Sequence, residues 1–227
     1  MLPHTYTISY RSIKRPVCTN EVIDMANVLT NPDRFFAELS QRDVNLRTPF
    51  TIVLVAAIVA TISNVMMSGV MTPLFPRGVG VYRLLPAMTH IISGFIAPFG
   101  SWLLCSAIFH AISRLFGGTG SFERVFEFVG YGFIPHIVES VVGLAAIMVT
   151  SPNELIFEGF SQMHPLILIH SILQLLLVLC GVVIWIFAVK HARNIGTKHA
   201  IITVLLIPAI FYLLIGTVLC LSYVGVM

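Results

Sequence analysis

Charged residues are scarce in this sequence: only 10% of its 227 residues are Asp, Glu, Lys or Arg, whereas 57% are hydrophobic. Soluble domains carry about 25% charged residues, and no soluble fold of this size could bury so much apolar side chain. Disorder is excluded as well, because disordered chains are poor in apolar residues and rich in charge. The net charge of +3 leaves no basic stripe for nucleic acid, so no nucleic-acid partner is expected. The composition therefore predicts a polytopic membrane protein in contact with the lipid bilayer.

Cysteines and catalytic motifs are also sparse. The four cysteines, Cys18, Cys105, Cys180 and Cys220, show no paired spacing, and three of them lie in apolar segments where cysteine behaves as a small apolar residue. We expect no disulfide and no cysteine metal site. The chain has no Gly-x-Ser-x-Gly, no His-Glu-x-x-His and no Walker lysine. The sequence thus predicts a protein that is not an enzyme and has no cofactor.

Long apolar segments occur five times. Each crossing of a bilayer needs about 20 mainly apolar residues, and transmembrane barrel strands are much shorter than these segments. The sequence therefore predicts an all-α, polytopic membrane helix bundle with five transmembrane helices and a short cytoplasmic N-terminal amphipathic segment. The predicted spans are Pro49–Ser68, Pro86–Ile112, Phe122–Val149, Pro165–Val189 and Ile201–Val224.

The basic residues indicate the orientation of these spans. With five spans, all but two of the 13 Lys and Arg residues fall on the side of the N-terminus, and only Arg77 and Arg83 fall on the other side. The positive-inside rule then predicts a multi-pass protein of the cell membrane, with a cytoplasmic N-terminus and an external C-terminus. We expect residues 1–24 to form a mobile cytoplasmic tail and residues 25–225 to form the membrane domain.

A helix start is predicted in the N-terminal segment, at Thr30–Asp33. Thr30 or Asn31 can cap, proline suits the first helical position, and Asp33 favours the positive end of the helix dipole. The helix would carry Phe35, Phe36 and Leu39 on one side. Such a helix either lies in the cytoplasmic membrane interface or packs on the bundle.

Polar residues inside the predicted spans are the default functional candidates in a membrane protein. His136 and Glu139 are one turn apart on the third span, and Gln174 and His170 reach similar depths on the fourth. With His90 of the second span they are predicted to form a polar cluster in the external half of the bundle. The cluster could hold helices together or carry protons or a solute. A metal ion is not predicted, because His-x-x-Glu supplies two ligands and zinc needs three or four.

Further features are predicted nearer the cytoplasmic side and within the helices. His110 and Glu127 lie near that side on adjacent spans and could pair. The glycine-rich Gly117–Phe122 predicts a tight turn between those spans. Kinks are predicted at Pro98 and Pro135, because proline inside a helix removes a backbone hydrogen bond.

Three short motifs stand in a fixed order along the chain: Asn31-Pro32 with Phe35-Phe36, Gly117–Phe122, and Gly130-Tyr131 with Pro135. In this order, and with five spans, the chain resembles the Yip (Ypt/Rab-interacting protein) domain family in its prokaryotic form, over Val28 to Leu221. The eukaryotic members are Golgi and endoplasmic-reticulum proteins that bind Rab-type GTPases. This chain lacks their Asp-Leu-Tyr-Gly-Pro motif, so GTPase binding is not expected.

Two functions are compatible with these features. The leading hypothesis is a non-enzymatic integral membrane protein of Yip type that organises membrane or scaffolds partners through its N-terminal segment. Its partners would be other membrane proteins or further copies of itself. The alternative is a small transporter or proton-coupled channel that uses His136, Glu139, His170 and Gln174.

Overall fold

The computed structural model describes residues 21–71, 81–149, 165–206 and 208–210, and all regular structure in these ranges is helical. The prediction of an all-α protein is therefore confirmed for the described part of the chain. A further apolar helix, Thr197–Ile210, follows the last numbered helix. The numbered helices are α1 (Glu21–Thr30), α2 (Pro32–Leu39), α3 (Arg47–Met71), α4 (Val81–Leu115), α5 (Phe122–Tyr131), α6 (Ile134–Val149) and α7 (Pro165–Arg193).

Four helical stretches are long and apolar enough to cross a membrane: Arg47–Gly69, Met88–Leu115, Phe122–Met148 and Leu168–Arg193. They coincide with the first four predicted spans. The helix Thr197–Ile210 covers the beginning of the predicted fifth span, whose remainder lies outside the described residues. Cys18, Cys220 and the first 20 residues of the predicted tail also lie outside them.

The start of α2 is where local sequence predicts it. The side chain of Asn31 accepts a hydrogen bond from the backbone N–H of Arg34, Pro32 occupies the first turn, and Asp33 is the acidic residue there. This arrangement satisfies a backbone donor that has no partner inside the helix. The preceding α1 begins at Glu21, so the last four residues of the predicted tail are helical.

The third span is interrupted in its middle. α5 ends at Tyr131, α6 begins at Ile134, and Gly132 and Phe133 form a turn between them. Pro135 therefore occupies the first turn of a helix, where its missing N–H costs no hydrogen bond. Pro98 lies within the uninterrupted α4. The kink predicted there stays a prediction.

The best-packed part of the bundle is one end, formed by the starts of α3 and α5 and the ends of α4 and α7. We call it the platform end, because the helix α2 packs there against α7. The buried apolar residues of α3 and α7 illustrate it, since they lie at Ile52–Ala57 and Ile184–Ala192. Six of the ten residues of α5 are buried as well. Large apolar side chains on the outward faces of the spans are exposed, as expected for surfaces that contact lipid.

Candidate functional site

The first candidate site is the helix pair α1–α2, which lies outside the spans and which we call the N-terminal platform. Phe36 of α2 is fully buried, and its ring lies 5.0 Å from that of Phe128 and 6.1 Å from that of Tyr131. α2 also packs against α7, and Val28 of α1 is buried. Of the two positions predicted for the amphipathic segment, the structure thus places it on the bundle.

An ion pair adds to this docking. The Asp33 carboxylate of α2 accepts a hydrogen bond from Lys190 Nζ at 2.6 Å, and the same oxygen lies 2.7 Å from His191 Nε2. The hydrogen bond from Lys190, reinforced by His191, holds the pKa of Asp33 below its usual value. A lowered pKa means that this stabilisation is complete at neutral pH and is lost as pH falls through the folded-state pKa. Because Asp33 is half exposed, we expect a contribution of about 1 kcal/mol or less.

The outward face of the platform is polar and accessible. Arg34 and Glu38 form an ion pair at 2.8 Å one turn apart, with 77% and 55% of their side chains exposed. Asn27 and Thr30 are exposed on the same helix pair, and so is the apolar Leu29. The platform therefore has one face that holds it to the bundle and one polar face whose side chains are exposed.

A buried carboxylate fixes the segment that joins the platform to α3. Glu127 is fully buried, accepts a hydrogen bond from the backbone N–H of Asn45 at 3.0 Å, and pairs with Arg124 at 2.9 Å. Arg124 also donates to the backbone carbonyl of Arg42. Two charged side chains of α5 thus hold the backbone of the connecting segment on the bundle.

The predicted pair between His110 and Glu127 is not formed. Arg124 takes the place of the histidine, because it lies three residues before Glu127 on the same helix face. The His110 ring meets the edge of Phe122 instead, at 5.6 Å between centroids. Its Nδ1 is buried and has no hydrogen-bond partner among the described residues.

The glycine-rich segment forms the predicted tight turn, and it docks against the end of α7. Gly117 has a φ of 76°, which favours glycine. The backbone N–H of Thr119 donates to the carbonyl of Arg193 at 3.0 Å. A Cβ on Gly120 would lie 1.7 Å from the carbonyl oxygen of Ala192, so only glycine allows this contact.

Arg193 is the centre of this junction, and sequence patterns did not single it out. It is only 2% exposed, and it donates to Ser113 Oγ at 2.9 Å and to the carbonyl of Gly118. α7 ends there, followed by Asn194 with a left-handed φ of 53°. In the sequence, an arginine at the end of an apolar helix is interpreted as a charge that sets the orientation of the span. Only the packing shows that this arginine is buried.

Two tryptophans donate hydrogen bonds to the backbone of α5. Trp102 Nε1 donates to the carbonyl of Phe126 at 2.8 Å, and Trp185 Nε1 donates to that of Val129 at 3.0 Å. A Cβ on Gly132 would lie 2.0 Å from Trp185 Nε1. The glycine at the break of the third span therefore makes room for a tryptophan of α7.

The second candidate site is the predicted polar cluster between α6 and α7. Glu139 lies 3.1 Å from His136 Nδ1 and accepts a hydrogen bond from Gln174 Nε2 at 2.9 Å. His170 faces the same seam, since a Cβ on Gly143 would lie 3.6 Å from its Nε2. His90 of α4 forms no hydrogen bond or ion pair with the other four in the described structure.

This cluster connects two helices but does not resemble a metal centre. Within the described ranges there is no group of three or more His, Cys, Asp or Glu side chains that could hold a metal ion. Glu139 and His136 keep 22% and 39% of their side chains exposed. The arrangement can hold α6 against α7, and it offers a carboxyl and an imidazole for proton exchange.

Comparison with known proteins places the chain in a family. The Yip1 domain matches residues 26–218. The chain belongs to the Yip1 domain family. An uncharacterized protein of Methanocaldococcus jannaschii is 38% identical over 124 residues, which are 53% of this chain and 86% of that protein. No solved structure matches the chain. The Yip1 domain begins within α1, so it includes α2 and its docking on the bundle as well as the described spans.

Proposed function

We propose that this Yip1-domain protein is a non-enzymatic integral membrane protein that organises membrane or scaffolds protein partners through its N-terminal platform. The platform and the N-terminus would lie in the cytoplasm, and the C-terminus would lie outside the cell membrane after a fifth span. The partners are other membrane proteins or further copies of the chain. The sorting of basic residues toward the platform end supports this orientation.

One observation carries the proposal: a helix pair outside the spans is held rigidly to the bundle and leaves its polar face open. Phe36 and the Asp33–Lys190 pair fix its position, while Arg34 and Glu38 point away from the contact. A surface held in place in this way loses little conformational freedom when a partner binds. A docked, polar and accessible surface at the membrane border is better suited to binding a partner than to catalysis.

The proposal predicts position-specific cross-linking in native membranes. A photo-reactive residue at Asn27 should capture a defined partner, and the double charge reversal Arg34→Glu with Glu38→Lys should reduce that capture at least about tenfold, by changing the polar face. Both side chains are exposed, so the fold should survive. The matched control is the same photo-reactive residue at Asp43, which is exposed at the same end but outside the platform. Equal capture from both positions, or no effect of the reversal, would contradict the proposal.

A second function, proton-coupled transport, is favoured by one arrangement. Glu139 is bonded to a histidine on its own helix and to a glutamine on the next, inside two spans. Ionisable groups inside membrane spans commonly mark proton or solute pathways. The same three side chains would also serve as a structural link between α6 and α7.

The variant Glu139→Gln separates these two roles. In proteoliposomes with a pH-sensitive dye inside, a transport role predicts that proton flux falls to background, because glutamine cannot release a proton. A structural role predicts a loss of about 1 kcal/mol or less in stability, the usual size of such bonds in bilayers, with no flux in either protein. The control is His90→Gln, which changes an intramembrane histidine outside the cluster and should alter neither quantity.

A further inference from the structure

Three basic residues on the platform side of the bundle are paired with carboxylates. Each carboxylate lies within ordinary ion-pair distance, and two of the three pairs join side chains on the same helix. The pairs are Arg34 with Glu38 at 2.8 Å, Lys190 with Asp33 at 2.6 Å, and Arg124 with Glu127 at 2.9 Å.

A second region of the same end differs, and we call it the turn side: the last turn of α4, the glycine-rich turn and the start of the helix Thr197–Ile210. Arg114 and Lys198 are exposed there, and neither has a carboxylate partner within the described structure. Arg193, buried against the glycine-rich turn, bonds only to the neutral oxygens of Ser113 and Gly118 among the described residues. The turn side thus carries three cations that no described side chain neutralises.

Ring stacking brings the parts of the turn side together. Phe116 stacks on His199 with 4.9 Å between ring centroids and 18° between their planes. Arg114 stands two residues before that phenylalanine, and Lys198 stands next to that histidine. Arg114 and Arg193 are close enough to interact electrostatically. Arg114 and Lys198 therefore lie on two segments that pack against each other, and Arg193 lies near Arg114.

The acidic residue nearest to this group along the chain does not neutralise it. Glu123 lies in the first turn of α5, where the positive end of the helix dipole favours a carboxylate. Its hydrogen bonds are to Ser121 and to backbone. It forms no ion pair with Arg114, Arg193 or Lys198 in the described structure.

The turn side also lies at the ends of two stretches that are long and apolar enough to cross a membrane, where lipid headgroups are expected. Arg114 and Arg193 stand at the ends of the membrane-crossing stretches Met88–Leu115 and Leu168–Arg193. Leu115, next to Arg114, is 83% exposed, which is unfavourable in water and favourable against acyl chains. Arginine binds phosphate well because its planar guanidinium can donate two parallel hydrogen bonds.

From these contacts we propose that the turn side binds the phosphate headgroup of an anionic phospholipid in the leaflet at the platform end. Arg114 and Lys198 hold the phosphate, Leu115 contacts the acyl chain, and Arg193 adds positive potential from its buried position. This site is separate from the platform and does not depend on the partner-binding role. A lipid is favoured over a soluble anion because the unpaired cations stand beside an exposed leucine at the end of a span.

The test measures the binding of phosphatidylglycerol relative to phosphatidylcholine by native mass spectrometry of the full-length protein. The double variant Arg114→Gln with Lys198→Gln should lose about 25-fold in preference for phosphatidylglycerol, since each basic residue near an anionic surface contributes about fivefold. The control is Arg34→Gln with Arg47→Gln, which removes two positive charges at the same end. Arg34 is paired with Glu38, and Arg47 lies on α3, away from the turn.

The control variant should keep most of the wild-type preference, and both variants should unfold at the wild-type temperature in phosphatidylcholine alone. Three results would contradict the proposed lipid site. The first is a wild-type protein with no preference for phosphatidylglycerol, and the second is an equal loss in the two double variants. The third is displacement of the lipid by millimolar inorganic phosphate, which would assign the cations to a soluble anion.

Discussion

Gly120→Ala should be the most damaging small substitution in the described part of the chain. The added methyl carbon would lie 1.7 Å from the carbonyl oxygen of Ala192 and 2.9 Å from its carbonyl carbon. Both atoms belong to backbone, so no side chain can rotate away, and the turn must separate from the end of α7. Separation would break the bond from Thr119 to Arg193 and would disturb the bonds of a buried guanidinium. We expect a loss of about 3 kcal/mol or more, the upper part of the range for overpacked sites.

Unfolding in detergent, followed by circular dichroism, measures this loss. The matched control is Gly100→Ala in α4, where an added methyl carbon would meet no atom within 4 Å. That variant should be as stable as the wild type or more stable by up to about 1 kcal/mol, since alanine favours helix over glycine. Similar unfolding curves for the two variants would show that the turn does not pack on α7 as described.

Phe36→Ala should release the platform from the bundle while the spans stay folded. Phe36 is fully buried, and its ring lies against Phe35, Phe128 and Tyr131, with centroids 5.0 to 6.1 Å away. Truncation of a buried phenylalanine costs about 3–5 kcal/mol. The ion pair of Asp33 contributes about 1 kcal/mol or less, and the buried Leu39 and the contact of Phe35 with Tyr131 do not replace the lost ring.

Amide hydrogen exchange measures the release. Residues of α2 should exchange at least about 100-fold faster in the variant, while the interior of α3 keeps its protection, because a local opening exposes only its own amides. Arg34→Ala is the control: its side chain is 77% exposed, so stability should change by no more than about 0.5 kcal/mol. If Phe36→Ala left α2 protected, or unprotected α3 as well, the platform would not be a separately docked unit.

Local sequence predicted those features that depend on neighbours along the chain. The cap of α2 at Asn31 needs only the next few residues, and it is present. The contact between His136 and Glu139 follows from their spacing on one helix. The four described spans follow from length and apolarity alone.

Contacts between helices could not be predicted from the depth of each residue in the membrane alone. Gln174 bonds to Glu139 because two residues at similar depth on neighbouring spans also face each other. The same reasoning groups His90 with them, but His90 forms no hydrogen bond or ion pair with the cluster in the described structure. Similar depth also suggests a pair between His110 and Glu127, whereas the ion-pair partner of Glu127 is Arg124 on its own helix. Depth follows from helical rise, whereas the rotation of a helix about its axis depends on the packing of all its neighbours.

By itself, the sequence determined that this is a helical membrane protein, where its described spans lie and how α2 begins, because hydrophobicity, length and capping are properties of short segments. Only the tertiary structure decided that α2 docks through Phe36, that Arg193 is buried under the glycine-rich turn, and that Arg114 and Lys198 are left without carboxylates. Each of these depends on which faces of distant segments meet. Burial and charge neutralisation arise from contacts between distant segments, and they cannot be predicted from any one segment.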